Sequence, residues 1–170
     1  INSQLEEISV EPLSDVDLLE IRIRDFIDER ITATIGDDYW AKSIPAEVAK
    51  FTKKRIKSHF DRYPYEDKEA FSKGRVQLDF CEVSHYEMII AANWNIFEEY
   101  LRDLSIFQSH ANNFRLLRNA VQHNRKPNEV EEKNGNAAII WFKAILDKYE
   151  IMLALQSEEN GPGSDDEERT

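Results

Sequence analysis

The sequence predicts an all-α protein, an up-down bundle of about five helices with a disordered acidic tail at its C-terminal end. Several stretches repeat apolar residues about every three to four positions, which is typical of amphipathic helices, and none alternates apolar and polar residues as a half-buried strand does. Five of the 170 residues are glycine and five are proline, fewer turn formers than an all-β sandwich needs. A hydrophobic fraction of 41% is enough for a core in one domain of this length.

The first two helices have clear start and stop signals. The first is predicted over about 14–36, with Ser14 as N-cap and Gly36 as the residue that ends it. Its apolar face holds Leu19, Ile23, Phe26 and Ile27. The residues from Asp37 to Trp40 are interpreted as a linker into a short turn. A second helix is predicted over about 45–61, because proline suits the first helical position at Pro45.

The middle of the chain is predicted to contain short helical pieces and then one long helix. The short pieces fall within 65–81. The sequence Ser84–Glu87 has the pattern of a capping box, in which the first and fourth side chains cap each other's backbone. It predicts a long helix over about 84–102. The apolar residues that this helix would bury are Ile89, Ile90, Trp94 and Phe97.

Two further helices and the tail complete the prediction. The fourth helix is expected over about 106–124, and a loop with an Asn-Gly-Asn sequence over 126–136 leads to a fifth over about 137–157. Apolar residues of the fifth helix are Ile140, Phe142, Ile145 and Leu146. The helical domain is therefore expected over 1–157, and the acidic composition of 158–170 predicts a disordered tail.

The net charge of −11 is unevenly distributed. Residues 42–75 carry ten basic and five acidic side chains, a local charge of +5, and the stretch 104–128 contains no acid at all. Local patches, rather than the global charge, decide whether a phosphate can dock. The lysines of the second helix are interpreted as a solvated face, with a phosphate track as the alternative. They are Lys50, Lys53, Lys54 and Lys57.

The fourth helix combines a core stripe with a polar sector that suits RNA cleavage. At about 100° per residue, the stripe consists of Phe107, Phe114, Leu117 and Val121. Arg118, Asn119 and His123 lie in the adjoining sector, where no carboxylate of this helix opposes them. Attack of an RNA 2′-hydroxyl on its own phosphate needs proton transfer, which imidazole supplies near neutral pH, and a fixed cation, which arginine supplies. A two-fold dimer would bring two such sets to one cleft.

The stretch Leu117–His123 resembles the Arg-Asn-x-x-x-His signature of the HEPN (higher-eukaryote and prokaryote nucleotide-binding) superfamily. The context is similar too: a Gly-then-Trp segment at Gly36–Trp40, an Ile-Pro helix start at Ile44–Pro45, and an Ile-Ile…Trp…Phe pattern in the preceding long helix. The resemblance covers about 18–157. It implies an up-down helical bundle, a homodimer and a metal-independent endoribonuclease that leaves a 2′,3′-cyclic phosphate.

The resemblance also implies residue roles. Arg118 and His123 would be the catalytic pair, and Asn119 would orient them. Around them, the acid-free stretch supplies the residues that we expect to bind RNA: Arg115, Gln122, Arg125 and Lys126. Under this hypothesis, Arg118→Ala abolishes activity without unfolding the chain.

The expected partners are RNA, a second copy of the chain, and an inhibitory partner or fused regulatory domain of the kind found in toxin–antitoxin, antiviral-defence and RNA-surveillance systems. Neither a metal nor another cofactor is expected, because His59, His85 and His110 lack metal-ligand spacing. The single cysteine, Cys81, fits a reducing compartment. No apolar stretch reaches the roughly 18–20 residues that span a bilayer, so we expect a cytoplasmic protein that does not enter membranes.

Two other function classes stay open at this point. The first is a catalytically inactive HEPN-like module that dimerises or binds RNA or nucleotides within a larger protein. The second is an all-α protein adaptor with no role in RNA metabolism, for which the acid-free stretch would be accidental.

Overall fold

Eight α-helices and one short 3-10 helix make up the regular structure of residues 14–161, the part of the chain that this computed structural model describes. The α-helices are α1 Asp15–Ile35, α2 Tyr39–Ser43, α3 Ala46–Arg62, α4 Gly74–Leu78, α5 Val83–Ala92, α6 Trp94–Leu101, α7 Leu104–Gln122 and α8 Glu129–Glu159. The 3-10 helix, Lys68–Ser72, precedes α4. The all-α prediction is confirmed for this range. The tail predicted at 158–170 begins inside α8, and its last nine residues lie outside the described residues.

The first helix agrees with the sequence at both ends. The Ser14 hydroxyl accepts a hydrogen bond from the Asp17 backbone N–H at 3.2 Å, so Ser14 is the N-cap. At the other end Gly36 adopts φ 115°, a conformation that L side chains rarely take, and its N–H donates to the Thr32 carbonyl at 3.0 Å. The predicted apolar face of α1 is buried as expected.

The long helix predicted over 84–102 is two helices, α5 and α6, which meet at Asn93. The Asn93 side-chain amide donates to the Ile89 carbonyl at 2.8 Å and to the Ser43 carbonyl at 3.0 Å, which ties the junction to the end of α2. The start of α5 also differs from the predicted capping box. Glu82, rather than Ser84, is the N-cap, and the His85 ring accepts the reciprocal bond from the Glu82 N–H at 3.0 Å.

Helices α7 and α8 form an antiparallel pair, because contacts made later in α7 fall earlier in α8. The His110 ring stacks on Trp141 at 4.4 Å between centroids, whereas Leu117 lies against Gly135. A Cβ added at Gly135 would lie 2.5 Å from the Leu117 Cβ, so only glycine allows this close approach. The loop predicted over 126–136 is therefore wrong beyond Asn128, whose side chain accepts from the Glu131 N–H at 2.8 Å and starts α8.

The core lies where α1 and α5–α8 meet. Phe26 packs edge-on against Phe97, with ring centroids 5.4 Å apart, and against Tyr149 at 4.8 Å. Val121, which the sequence placed on the core stripe, is 50% exposed, and Ile140 of α8 is 69% exposed. Both line a surface depression beside the end of α7. None of the helices within 14–161 combines the length and the apolar character that crossing a bilayer requires.

Candidate functional site

The C-terminal half of α7 lines a polar cleft of about 420 Å³, whose other walls come from α1, α3 and the start of α5. Four of the seven residues that the sequence predicted for the site line this cleft: Arg118, Asn119, Gln122 and His123. Two more arginines, from α1 and α3, join them. We call it the arginine cleft, after Arg24, Arg55 and Arg118.

Arg118 is paired with an acid from another helix, although no carboxylate of α7 opposes it. Its Nε donates to the Glu20 Oε2 at 3.1 Å, and the two side chains are 22% and 10% exposed. Glu20 comes from α1, on the face that also carries Ile23 and Ile27. Because both groups are largely withdrawn from water, this pair fixes the guanidinium in place. The bond uses Nε alone, so both terminal Nη groups of Arg118 make no hydrogen bond within residues 14–161.

The other two arginines have looser partners. The Arg24 Nε lies 3.5 Å from the Asp79 Oδ1, a distance beyond a good hydrogen bond, and this buried Nε makes no hydrogen bond to the described residues. The Arg55 Nη1 lies 3.7 Å from the Glu82 Oε1. Three guanidinium groups thus face three carboxylates, and of the three only Arg118 donates a hydrogen bond to its carboxylate.

Two weakly acidic groups also line the arginine cleft, and burial keeps both protonated. Burial raises the pKa of the Cys81 thiol to about 11, so it is neutral at physiological pH and unsuited to nucleophilic attack. Burial also raises the pKa of Tyr86, whose hydroxyl donates to the Cys81 carbonyl at 3.3 Å. These groups form the cleft wall.

His123 is the C-cap of α7, and its side chain is exposed at the mouth of the cleft. His123 and Asn119 are four positions apart, a spacing at which side chains on one helix face are neighbours. Within residues 14–161 no side-chain hydrogen bond joins them, and Asn119 is exposed as well. The imidazole is therefore accessible to a ligand that enters the cleft.

Three predicted RNA-binding residues lie outside the arginine cleft. Arg125 donates to both oxygens of Glu131, at 3.0 and 2.8 Å, so this cation is also paired with a carboxylate. Arg115 donates to the Asn112 side-chain oxygen at 2.7 Å. Lys126 is exposed in the loop that follows α7. Glu131 lies just beyond the acid-free stretch, six positions after Arg125, and the partner of Arg115 is an amide rather than an acid.

The remaining histidines have structural partners. The His85 ring caps α5, the His110 ring stacks on Trp141, and His59 Nε2 lies 2.9 Å from the Glu66 Oε2. Burial lowers the pKa of His85 and of His110. Within the described range, no group of three or more His, Cys, Asp or Glu side chains is arranged to hold a metal ion.

Sequence reasoning missed the residues that α1, α3 and α5 contribute to the cleft. One of them had a signal. Glu20 falls on the apolar face of α1, and a carboxylate on a buried face needs a partner. Arg24 and Arg55 carried no such signal, because exposed arginines are common on helices.

Comparisons with known proteins add no further evidence on function. No family model, no curated protein and no solved structure matches the chain. The function is therefore argued from the residues of the cleft.

Proposed function

We propose that this chain is a metal-independent endoribonuclease of the HEPN type, active as a homodimer. The observation that carries the proposal is that Arg118 and His123 line one cleft together with two further guanidinium groups, Arg24 and Arg55. A dianionic transition state on phosphorus needs fixed positive charge, and proton transfer needs an accessible imidazole. The cleft supplies both.

In the proposed reaction the RNA 2′-oxygen attacks the adjacent phosphorus. The 2′-proton leaves to a base, the P–O5′ bond breaks, and the 5′-oxygen takes up a proton, so the products are a 2′,3′-cyclic phosphate and a 5′-hydroxyl. His123 moves one of these protons. Arg118 stabilises the non-bridging oxygens, and Asn119 positions the scissile nucleotide beside them.

Glu20 supports this assignment as a positioning residue. Its contact with the Arg118 Nε at 3.1 Å locks the guanidinium and leaves both Nη groups without a hydrogen-bond partner among residues 14–161. Arginine binds a phosphate in a bidentate manner through such paired N–H groups. Holding the cation in place before RNA binds reduces the reorganisation that catalysis would otherwise require.

The homodimer is proposed because each chain offers one His123, whereas the reaction needs both a base and an acid. An apolar depression of about 570 Å³ lies beside the end of α7, lined by Val16, Val121 and Ile140 among others. Val121 is 50% exposed, and it points to a different side of α7 from His123, two positions later. A second copy that covers this depression buries apolar surface, and the proposed site requires that the same dimer bring the two copies of His123 to one cleft.

One observation favours a second candidate, a catalytically inactive module for dimerisation or for RNA or nucleotide binding. Glu20 neutralises Arg118 inside the cleft, which lowers the positive charge offered to a phosphate. If Glu20 binds Arg118 in the RNA complex through more than Nε, the pair is structural. The chain then binds its ligand without cutting it.

The test is cleavage of a mixed RNA pool in EDTA by the parent protein and by His123→Ala. We expect the parent to leave 2′,3′-cyclic phosphate ends and His123→Ala to lose at least about a hundredfold in rate, the usual contribution of general acid–base catalysis. His110→Gln, a histidine change on the same helix but outside the cleft, is the matched control and retains activity. Intact RNA with the parent, while light scattering shows a dimer, would establish the inactive module instead.

A second variant separates the role of the guanidinium from that of its charge. Arg118→Lys keeps a cation near Glu20 but loses the planar pair of N–H groups. We expect the dimer and the fold to persist and the cleavage rate to fall at least about tenfold. An unchanged rate would mean that Arg118 acts only as a structural cation.

A further inference from the structure

A second groove, on the opposite side of α3 from Arg55, combines aromatic rings with lysines. It has a volume of about 490 Å³ and lies between α2, α3, the 3-10 helix and α4. Its apolar floor includes the half-buried rings of Trp40, Phe60 and Phe71. Lys53 and Lys68 line its sides, and both are exposed. We call it the aromatic groove, after its three rings.

The lysines of the aromatic groove are free of carboxylate partners. None of the ion pairs within residues 14–161 involves Lys53 or Lys68. The same is true of Lys50 and Lys57, which lie on the same edge of α3, within about 60° of Lys53. The Lys68 Nζ lies 5.8 Å from the centre of the Phe60 ring. This edge of α3 therefore presents a row of available cations beside apolar rings.

The aromatic rings continue from the groove to the surface. Phe60 lies 4.7 Å from Phe71, which lies 5.4 Å from the His59 ring, and His59 lies 4.9 Å from Tyr63. The last ring, Tyr65, is 6.2 Å from Tyr63 and 81% exposed. An exposed tyrosine at the end of such a series offers a ring face to a ligand without any cost to the core.

Two of the acids near the aromatic groove already have hydrogen-bond partners within the chain. Glu66 is bound to His59 at 2.9 Å, and the Asp67 side chain accepts from the Glu69 N–H at 3.1 Å at the start of the 3-10 helix. Segment 42–75 keeps a net charge of +5 in a chain of net charge −11. Within residues 14–161, three basic side chains of the segment pair with acids outside it (Lys42, Arg55 and Arg75), and the groove lysines Lys53 and Lys68 do not.

We propose that the aromatic groove binds single-stranded RNA. Free lysines attract phosphates, and ring faces stack on bases. A duplex hides its base faces, so only an unpaired strand uses both features. An acidic peptide would use the lysines and leave the rings without a partner. The inference extends the proposed function, since RNA is the ligand of both sites, but binding here does not require cleavage.

The experiment measures binding of a fluorescent single-stranded 2′-O-methyl oligonucleotide by anisotropy. Such a strand has no free 2′-hydroxyl, so it cannot be cut and binding is read independently of cleavage. We expect Lys53→Glu to weaken binding about fivefold and to lower the slope of log K against log salt by about 0.7, the value for one phosphate contact on a single strand. Lys148→Glu, an equal charge change on α8, serves as the matched control and changes the affinity by less than about twofold.

Tyr65 provides the test of base stacking. We expect Tyr65→Leu to weaken binding at least about fivefold, and Tyr65→Phe, which keeps the ring, to bind as the parent does. Because Tyr65 is 81% exposed, neither change affects folding, which circular dichroism checks.

Several results would overturn this inference. They are an equal loss in Lys53→Glu and Lys148→Glu, parent-like affinity in Tyr65→Leu, equal affinity for the matching duplex, or equal affinity for a poly-glutamate peptide. If the parent protein binds the strand through Lys53 and Tyr65 but cuts no RNA, the nuclease hypothesis is rejected and the binding role of the groove is retained. If the parent protein cuts RNA and the groove variants bind the strand normally, the binding role is rejected and the nuclease hypothesis is retained.

Discussion

The arginine cleft and the aromatic groove lie on two sides of α3, and they hold their cations in opposite ways. In the cleft each arginine faces a carboxylate, and the Arg118–Glu20 pair is nearly buried. In the groove Lys53 and Lys68 have no ion-pair partner among residues 14–161 and are exposed.

This difference suits the cleft to positioning a phosphate and the groove to binding RNA with salt-dependent affinity. A buried ion pair contributes little net attraction for a ligand but fixes one geometry, which suits a reacting phosphate. Free lysines are mobile and release counterions when they meet phosphates, which gives salt-dependent affinity without precise placement. The two regions are therefore complementary parts of one proposed RNA-processing surface.

The largest effect on stability is expected when the Arg118–Glu20 pair is broken. Arg118→Ala leaves Glu20, only 10% exposed, without a partner, and we expect the free energy of unfolding to fall by about 3 kcal/mol. Lys53→Ala, in the groove, is expected to change it by less than about 0.5 kcal/mol. Urea denaturation of both variants measures the contrast. If Arg118→Ala were as stable as Lys53→Ala, the pair would not hold the cleft together.

The next largest effect on stability is expected at Gly135, which lies on the far side of α7 from the arginine cleft. An alanine Cβ there would meet the Leu117 Cβ at 2.5 Å, so α8 has to move away from the helix that carries Arg118 and His123. We expect a loss of about 2 kcal/mol, the usual cost of overpacking. RNA binding in the aromatic groove should be unaffected. Wild-type thermal stability in Gly135→Ala would contradict the close approach of α7 and α8.

The sequence predicted the fold where local signals decide the structure. Ser14 and Gly36 set the ends of α1 because a cap and a left-handed glycine act within a few residues. It failed where a distant residue decides. Asn93 divides α5 from α6 by reaching the Ser43 carbonyl, and Gly135 is a helical residue of α8 whose missing side chain makes room for Leu117.

The candidate site was predictable only in part, for the same reason. Arg118, Asn119 and His123 share one helix, so their spacing places them together. Glu20 is 98 positions from Arg118 in the sequence, and no sequence pattern indicates that the two side chains are in contact. The acid-free stretch of 104–128 is accurate as a statement about sequence. It does not describe the electrostatics of the cleft, because tertiary packing brings in the carboxylates.

The smallest effect on stability is expected when Arg55 is changed. This variant tests whether a loosely paired arginine of the cleft contributes to cleavage. The Arg55 and Glu82 side chains are about half exposed, at 50% and 57%, and are 3.7 Å apart. Exposed pairs of this kind contribute little, so Arg55→Gln should change the free energy of unfolding by less than about 0.5 kcal/mol. We nevertheless expect it to slow RNA cleavage about tenfold, because a loosely paired guanidinium can leave its carboxylate for a substrate phosphate. Lys54→Gln, the neighbouring cation outside both sites, is the control. Unchanged cleavage in Arg55→Gln would confine the proposed chemistry to Arg118 and His123, and the loose ion pairs of the cleft would then have no part in binding the phosphate.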